Sequence, residues 1–90
     1  MYIIGYTSRF KKDFKRCIMR GLDISILEIA IELLRLNGNL PSIYKPHKLK
    51  GKYVDCWECH LRSDWLLVWK QNDNELILLF TNTGTHSEIF

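Results

Sequence analysis

Hydrophobic positions change period several times along the 90-residue chain. Tyr2 to Tyr6 is a short apolar and aromatic run that predicts a strand. Phe10, Phe14, Cys17 and Ile18 then recur at i, i+4, i+7 and i+8, one stripe of an α-helix. Lys11, Lys12, Lys15, Arg16 and Arg20 fall mostly off that stripe. Thr7 or Ser8 can cap the helix by accepting a first-turn amide hydrogen bond, and Gly21 suits the left-handed residue that ends it. Asp23 can cap a second helix over Ile24 to Leu36. There Ser25, Glu28, Glu32 and Arg35 form one polar stripe, so most of the helix circumference is expected to be covered. Asn37-Gly38 and Pro41 stop it. The short connection between the helices predicts an antiparallel pair.

Residues 39–52 read as a loop or irregular edge. Tyr53 to Leu61 alternates, with Trp57, Cys59 and Leu61 on one side and Glu58, His60 and Arg62 on the other, as a half-buried strand requires. Ser63-Asp64 makes a turn, Trp65 to Lys70 is the next strand, and Gln71 to Asn74 is a hairpin loop. Glu75 to Asn82 is apolar enough to be central in the sheet. Residues 83–90 read as a polar tail with an apolar end. The fold class is therefore α+β over one domain, residues 1–90. It is a small antiparallel sheet in β-αα-βββ order with the helix pair on one face, leaving the other face for solvent or substrate.

Charge sharpens this picture. The net charge is only +3. Yet residues 1–52 carry eleven Lys/Arg against four Asp/Glu, a net of +7, while residues 53–90 carry two against six, a net of −4. A basic half on a small domain suggests a polyanionic partner. No apolar run approaches the ~20 residues of a membrane span, and no basic segment followed by a long apolar stretch opens the chain. A cytoplasmic protein with no membrane partner is expected. Three cysteines, Cys17, Cys56 and Cys59, are an odd count that argues for reduced thiols.

Cys56-Trp57-Glu58-Cys59-His60 matches the C-x-x-C-H haem-attachment pattern. In an extended strand, however, the odd separation sends the two thiols to opposite faces, away from a common haem or metal. Neither metal nor cofactor is expected. His47, His60, Asp64 and His86 are better suited to acid–base work, because imidazole exchanges protons near neutral pH. Cleavage of RNA by its own ribose 2′-hydroxyl needs a base for that proton, an acid for the leaving 5′-oxygen and cations for the phosphorane. Histidines, a carboxylate and lysines can supply all three. Tyr44, Tyr53, Trp57, Trp65, Trp69 and Phe90 can stack unpaired bases, with Trp65 beside Asp64 the most plausible stacker and Trp57 in the core by strand parity.

Three segments carry a resemblance when taken together: Tyr44-Lys45-Pro46-His47-Lys48-Leu49-Lys50-Gly51, Glu58 to Trp69, and Thr83-Gly84-Thr85-His86-Ser87-Glu88-Ile89-Phe90. The thirteen-residue step from His47 to His60, the H-x-x-x-D-W element and G-T-H-S-E followed by a hydrophobic residue and Phe are specific in combination. The chain resembles YafQ-type toxins of the RelE superfamily. That resemblance implies metal-independent cleavage of mRNA on the translating ribosome, so that mRNA and ribosome are partners. It also implies a cognate antitoxin that blocks the site. By motif position, His47, His60, Asp64, Trp65, His86 and Phe90 match the family's active-site set. His86 would be the leading general acid. His60 with Asp64, or His47, would assist proton removal and hold the phosphate. Trp65 and Phe90 would position nucleotides. One position departs: Asn82 stands where the family usually has a phosphate-binding arginine. A neutral amide cannot offset phosphorane charge. Arg62, whose strand parity matches His60, Lys50 or Lys52 would then substitute. The alternative is a catalytically weak RNA-, ribosome- and antitoxin-binding member of the fold.

Overall fold

Thr7 opens the first helix: its hydroxyl accepts the Phe10 amide at 3.0 Å, and α1 runs over Ser8–Met19. Asp23 caps α2 (Ile24–Asn37) through the Ser25 amide. Gly38 ends that helix at φ +71°, with the Tyr2 ring so close that any side chain there would strike it. The computed structural model describes residues 1–90. Its strands are β1 (Ile3–Tyr6), β2 (His47–Lys48), β3 (Cys56–Arg62), β4 (Trp65–Asn72) and β5 (Ile77–Gly84), followed by a one-turn helix α3 (His86–Ile89). They form one sheet in the order β1-β5-β4-β3-β2. No helix is long and apolar enough to cross a membrane.

The α+β class and the element order agree with the sequence expectation, and several details differ. β1 pairs in parallel with β5, so the sheet is mixed rather than purely antiparallel. The expected irregular edge contains a two-residue strand, β2, between 3-10 turns at Ser42–Tyr44 and Gly51–Tyr53. Tyr53 therefore lies before β3, not in it. β4 continues through Gln71 and Asn72. The following turn is made by the Asn72 side chain, which accepts the Asn74 and Glu75 amides, so β5 starts late, at Ile77. β5 is interior but β4 is central. The expected polar tail instead supplies the end of β5 and all of α3.

Alternation divides the sheet into two faces. Phe10 and Cys17 of α1, and Leu27, Ala30, Ile31 and Leu34 of α2, pack on one face with Cys59, Leu61, Trp65, Leu67, Trp69, Leu78 and Phe80. The opposite face carries a smaller patch of Cys56, Leu66, Val68 and Ile89, with Leu49 and Tyr53 against it. Cys56 and Cys59 thus enter different clusters, as their odd spacing requires. Burial pushes the Cys59 thiol up to about 12. The helices are covered less than their patterns suggest. Ile18, Ile29 and Leu36 are about half exposed.

The buried position on α1 that Ile18 does not take belongs to a carboxylate. Asp13 is fully buried. Its Oδ1 accepts from Arg9 Nε and Arg16 Nη2, each at 3.0 Å, and its Oδ2 accepts the Thr83 amide at 3.2 Å. Thr83 Oγ1 accepts from Trp65 Nε1 at 3.0 Å and donates to the Leu66 carbonyl at 2.8 Å. A buried polar relay thereby fastens α1 to β5 and β4. Replacing Asp13 with alanine strands the Thr83 amide and unpairs two arginines, a loss of about 2–4 kcal/mol. Thermal denaturation of Asp13→Ala should show a melting temperature lower by on the order of 10–20 °C. An unchanged melting point would contradict the relay's role.

Candidate active site

The face away from the two long helices collects the candidate chemistry. Glu58 and Val68 are paired across β3 and β4, and Val68 is paired with Asn82 of β5. His60 faces Leu66, which in turn faces Gly84. Leu66 and Val68 belong to the small patch, so Glu58, His60 and Asn82 share that face. His60 and Gly84 sit two strands apart on one row, about 10 Å backbone to backbone. His86 follows two residues beyond.

At one side of the patch, β2 brings His47 opposite Glu58. His47 Nε2 lies 3.2 Å from Glu58 Oε1, and His60 Nε2 lies 4.0 Å from the same oxygen. The two imidazole rings are 6.3 Å apart. His47 Nδ1 is 2.9 Å from the Lys45 carbonyl, so an imidazolium at this position donates to acceptors on both sides. Glu58 is buried, and its Oε2 has no hydrogen-bond partner. In the sequence Glu58 stands out only as a polar strand position. The available signal was its parity with His60, two residues away.

At the other side, Thr85 and Glu88 form a capping box that starts α3 immediately before His86. His86 is exposed, with its ring 5.1 Å from Phe90, whose ring meets Tyr53 edge-on at 5.0 Å. Asp64 accepts the backbone amide of His86 at 3.0 Å. The expected His60–Asp64 pairing is therefore corrected. Asp64 anchors α3 across the β3–β4 turn, and the carboxylate near His60 is Glu58.

Two further site expectations are overturned. Trp65 is 4% exposed in the helix-side core, and its indole N–H is already engaged by Thr83. It supports the sheet and offers no stacking face. Arg62 does not share the side of His60. A bulge at Leu61 shifts the register so that His60 pairs with Leu66 but Arg62 pairs with Trp65, turning Arg62 toward the helix side near Asp23. Lys70, paired with Cys56 across β3 and β4, is the cation the strands place on this face, and Lys50 and Lys52 of the segment before β3 are also exposed. Lys52 Nζ stands 5.4 Å over the Tyr53 ring.

α1 holds α3 in place through Glu88. Arg20 donates to both Glu88 carboxylate oxygens, Arg16 Nε lies 3.0 Å from Oε2, and Arg9 Nη2 donates to the Glu88 carbonyl at 3.0 Å. The Arg16 Nε contact is close but not aligned as a hydrogen bond. Gly84 is required here, at φ +152°, because a Cβ would lie 2.8 Å from Glu88 Oε1. Arg9, Arg16 and Arg20 are thus structural, and Lys11, Lys12 and Lys15 are the free cations of the basic helix.

No group of three or more His, Cys, Asp or Glu residues is arranged to hold a metal ion. A separate cavity of about 750 Å³ lies between β1, α1 and α2, lined by Ile4, Tyr6, Phe10, Phe14 and Ile29 among others. It contains no histidine and stands apart from this chemistry.

The family model for the bacterial toxin of the type II toxin–antitoxin system, YafQ, matches residues 2–90. The mRNA interferase toxin YafQ of Escherichia coli K12 is 35% identical over 88 residues, spanning 97% of this chain and 94% of that protein. The E. coli DinJ–YafQ complex contains a chain that superposes with a TM-score of 0.91 at 34% identity, covering 100% of this chain and 99% of that one. A metal-bound toxin from Helicobacter pylori gives 0.90 at 37% identity over the full length of both.

The Arg20 side chain, then the Thr85 amide, hold the Glu88 carboxyl down at about 2 from an ordinary 4.5. A depressed carboxyl stabilises the fold fully above its unfolded value and loses that stabilisation as pH falls from about 4.5 toward 2. Melting temperatures measured from pH 6 down to about pH 2 should fall more steeply for the wild type than for Glu88→Gln. Parallel curves would show that Glu88 does not couple the helices.

Proposed function

The chain belongs to the YafQ family of bacterial type II toxin–antitoxin toxins, and on that premise we propose that it is a metal-independent endoribonuclease that cleaves mRNA on the ribosome in the cytoplasm. The observation that carries this reading is one sheet face with the His47–Glu58–His60 cluster on one side of an apolar patch and His86 beside Phe90 on the other.

In the cleavage step, the ribose 2′-oxygen forms a bond to phosphorus and the bond from phosphorus to the 5′-oxygen breaks. His60 takes the 2′-hydroxyl proton, and Glu58, 4.0 Å away, stabilises the imidazolium that results. His86, exposed at the start of α3, gives a proton to the departing 5′-oxygen. The products are a 2′,3′-cyclic phosphate and a 5′-hydroxyl, with atoms and protons balanced. His47 lines the surroundings of the scissile phosphate together with the exposed Lys50, and Asn82 offers an amide donor. Oriented donors of this kind contribute about 3–4 kcal/mol each.

Partners follow from the same reading. A cognate antitoxin restrains the protein, as DinJ accompanies YafQ in the E. coli complex. Lys11, Lys12 and Lys15 give α1 an exposed cationic side for ribosomal RNA, so the association weakens as salt rises. Asn82 favours a second reading, because it replaces a cation with a neutral amide: a member that binds message and ribosome but cuts slowly.

On programmed ribosomes the wild type should release fragments ending in cyclic phosphate. His86→Ala should slow cleavage by about 10²–10⁴-fold. Glu58→Gln should slow it by roughly tenfold or more with no loss of ribosome binding in a sedimentation assay. Ribosome binding without fragments from the wild type would favour the slow-cutting reading.

A further inference from the structure

Tyr53 lies where the two halves of the open face meet. It follows the lysine-rich edge that carries His47, and its ring rests on the patch of Cys56, Leu66, Val68 and Ile89. Its edge-on contact with Phe90 is at 5.0 Å and 90°. Its hydroxyl reaches toward the Ile89 carbonyl at 3.5 Å, and Lys52 Nζ stands 5.4 Å over its ring. Phe90 is 5.1 Å from His86. A continuous ladder therefore runs from the imidazole of His86 through Phe90 and Tyr53 to an ammonium group. With Trp65 buried, Tyr53 and Phe90 are the aromatic rings beside His86, and Phe90 is 42% exposed.

Chemistry gives this ladder a polarity. The acid that protonates the departing 5′-oxygen must touch the nucleotide that owns that oxygen, which is the one on the 3′ side of the cut. That nucleotide is one ring away from Phe90. We propose that Phe90, Tyr53 and Lys52 form the subsite for the nucleotide 3′ of the cleaved bond, the two rings meeting its base and the Lys52 ammonium its following phosphate. The assignment rests on the reading of His86 as the proton donor. The 5′ side of the message then lies toward His47 and His60. Stacking tolerates any base but favours purines, which present more π surface.

The two product classes separate these sides without requiring turnover. Adenylyl-3′,5′-adenosine, with a free 5′-hydroxyl, mimics the downstream product. Adenosine 2′,3′-cyclic phosphate mimics the upstream one. NMR titration of the full chain should show the dinucleotide shifting the Tyr53 and Phe90 ring signals and the cyclic nucleotide shifting those of His47 and His60. Tyr53→Leu and Lys52→Ala should each weaken dinucleotide binding by about tenfold and leave cyclic nucleotide binding unchanged, while Tyr53→Phe keeps wild-type affinity. A purely structural Tyr53 would weaken both ligands alike, and that result would overturn the proposal. So would a dinucleotide that leaves the Tyr53 and Phe90 signals unmoved, or cyclic nucleotide binding on them instead. Lys52→Ala alters an exposed side chain and keeps the test decisive if Tyr53→Leu folds poorly. The titration tests the subsite and the ribosome assay tests the nuclease, so the two fail separately.

Discussion

Asp13 is the constraint on which the rest of the molecule depends. It has no solvent exposure, yet it sits on a helix whose other faces carry mostly positive charge. A buried carboxylate is tolerated only when its lone pairs are taken, and here they are filled by two arginines and the Thr83 amide. The same arginine that pairs with Asp13, Arg16, also approaches Glu88. One ionic system therefore joins the first helix to the last strand and to the turn that presents His86. The placement of His86 relies on this connection, because α3 is too short to hold its own geometry.

The sheet performs two jobs by alternation, and its two irregularities decide which residues serve which face. In β4, Trp65, Leu67 and Trp69 point into the helix-side core while Leu66 and Val68 build the open patch. The bulge at Leu61 moves Arg62 off the open face. A second shift, between Val68 and Trp69, lets Thr81 bond the Val68 carbonyl and brings Asn82 level with Val68. A strict period of two cannot anticipate either displacement, since each adds one residue to one strand only.

Most of the architecture was legible in the sequence. Both helices, their caps at Thr7 and Asp23, the stop at Gly38 and the three C-terminal strands follow from local chemistry that the tertiary structure does not override. The opposed faces of Cys56 and Cys59 follow from parity alone. The site was legible as a set of residue types and only partly as an arrangement. His47, His60 and His86 lie on the expected face. The carboxylate beside His47 and His60 is Glu58, whereas sequence proximity points to Asp64. Trp65 looked available because a strand start beside a turn suggests exposure, whereas its indole is consumed by Thr83. Asp13 was invisible because a lone acid in a basic helix reads as an ordinary surface residue until its long-range partner is known. Parallel pairing of β1 with β5 likewise depends on contacts across more than seventy residues, such as that from Thr7 to Thr81.

That long reach has a consequence for the order in which the protein comes into being. Contacts so distant in sequence form late, because the chain between them must be closed first. Residues 83–88 leave the peptidyl-transferase centre after everything they must grip has already been made. Until they dock on the first helix, His86 has no fixed place beside the sheet, and a growing chain carries its imidazoles dispersed. The candidate site is thereby among the last parts of the fold to be assembled.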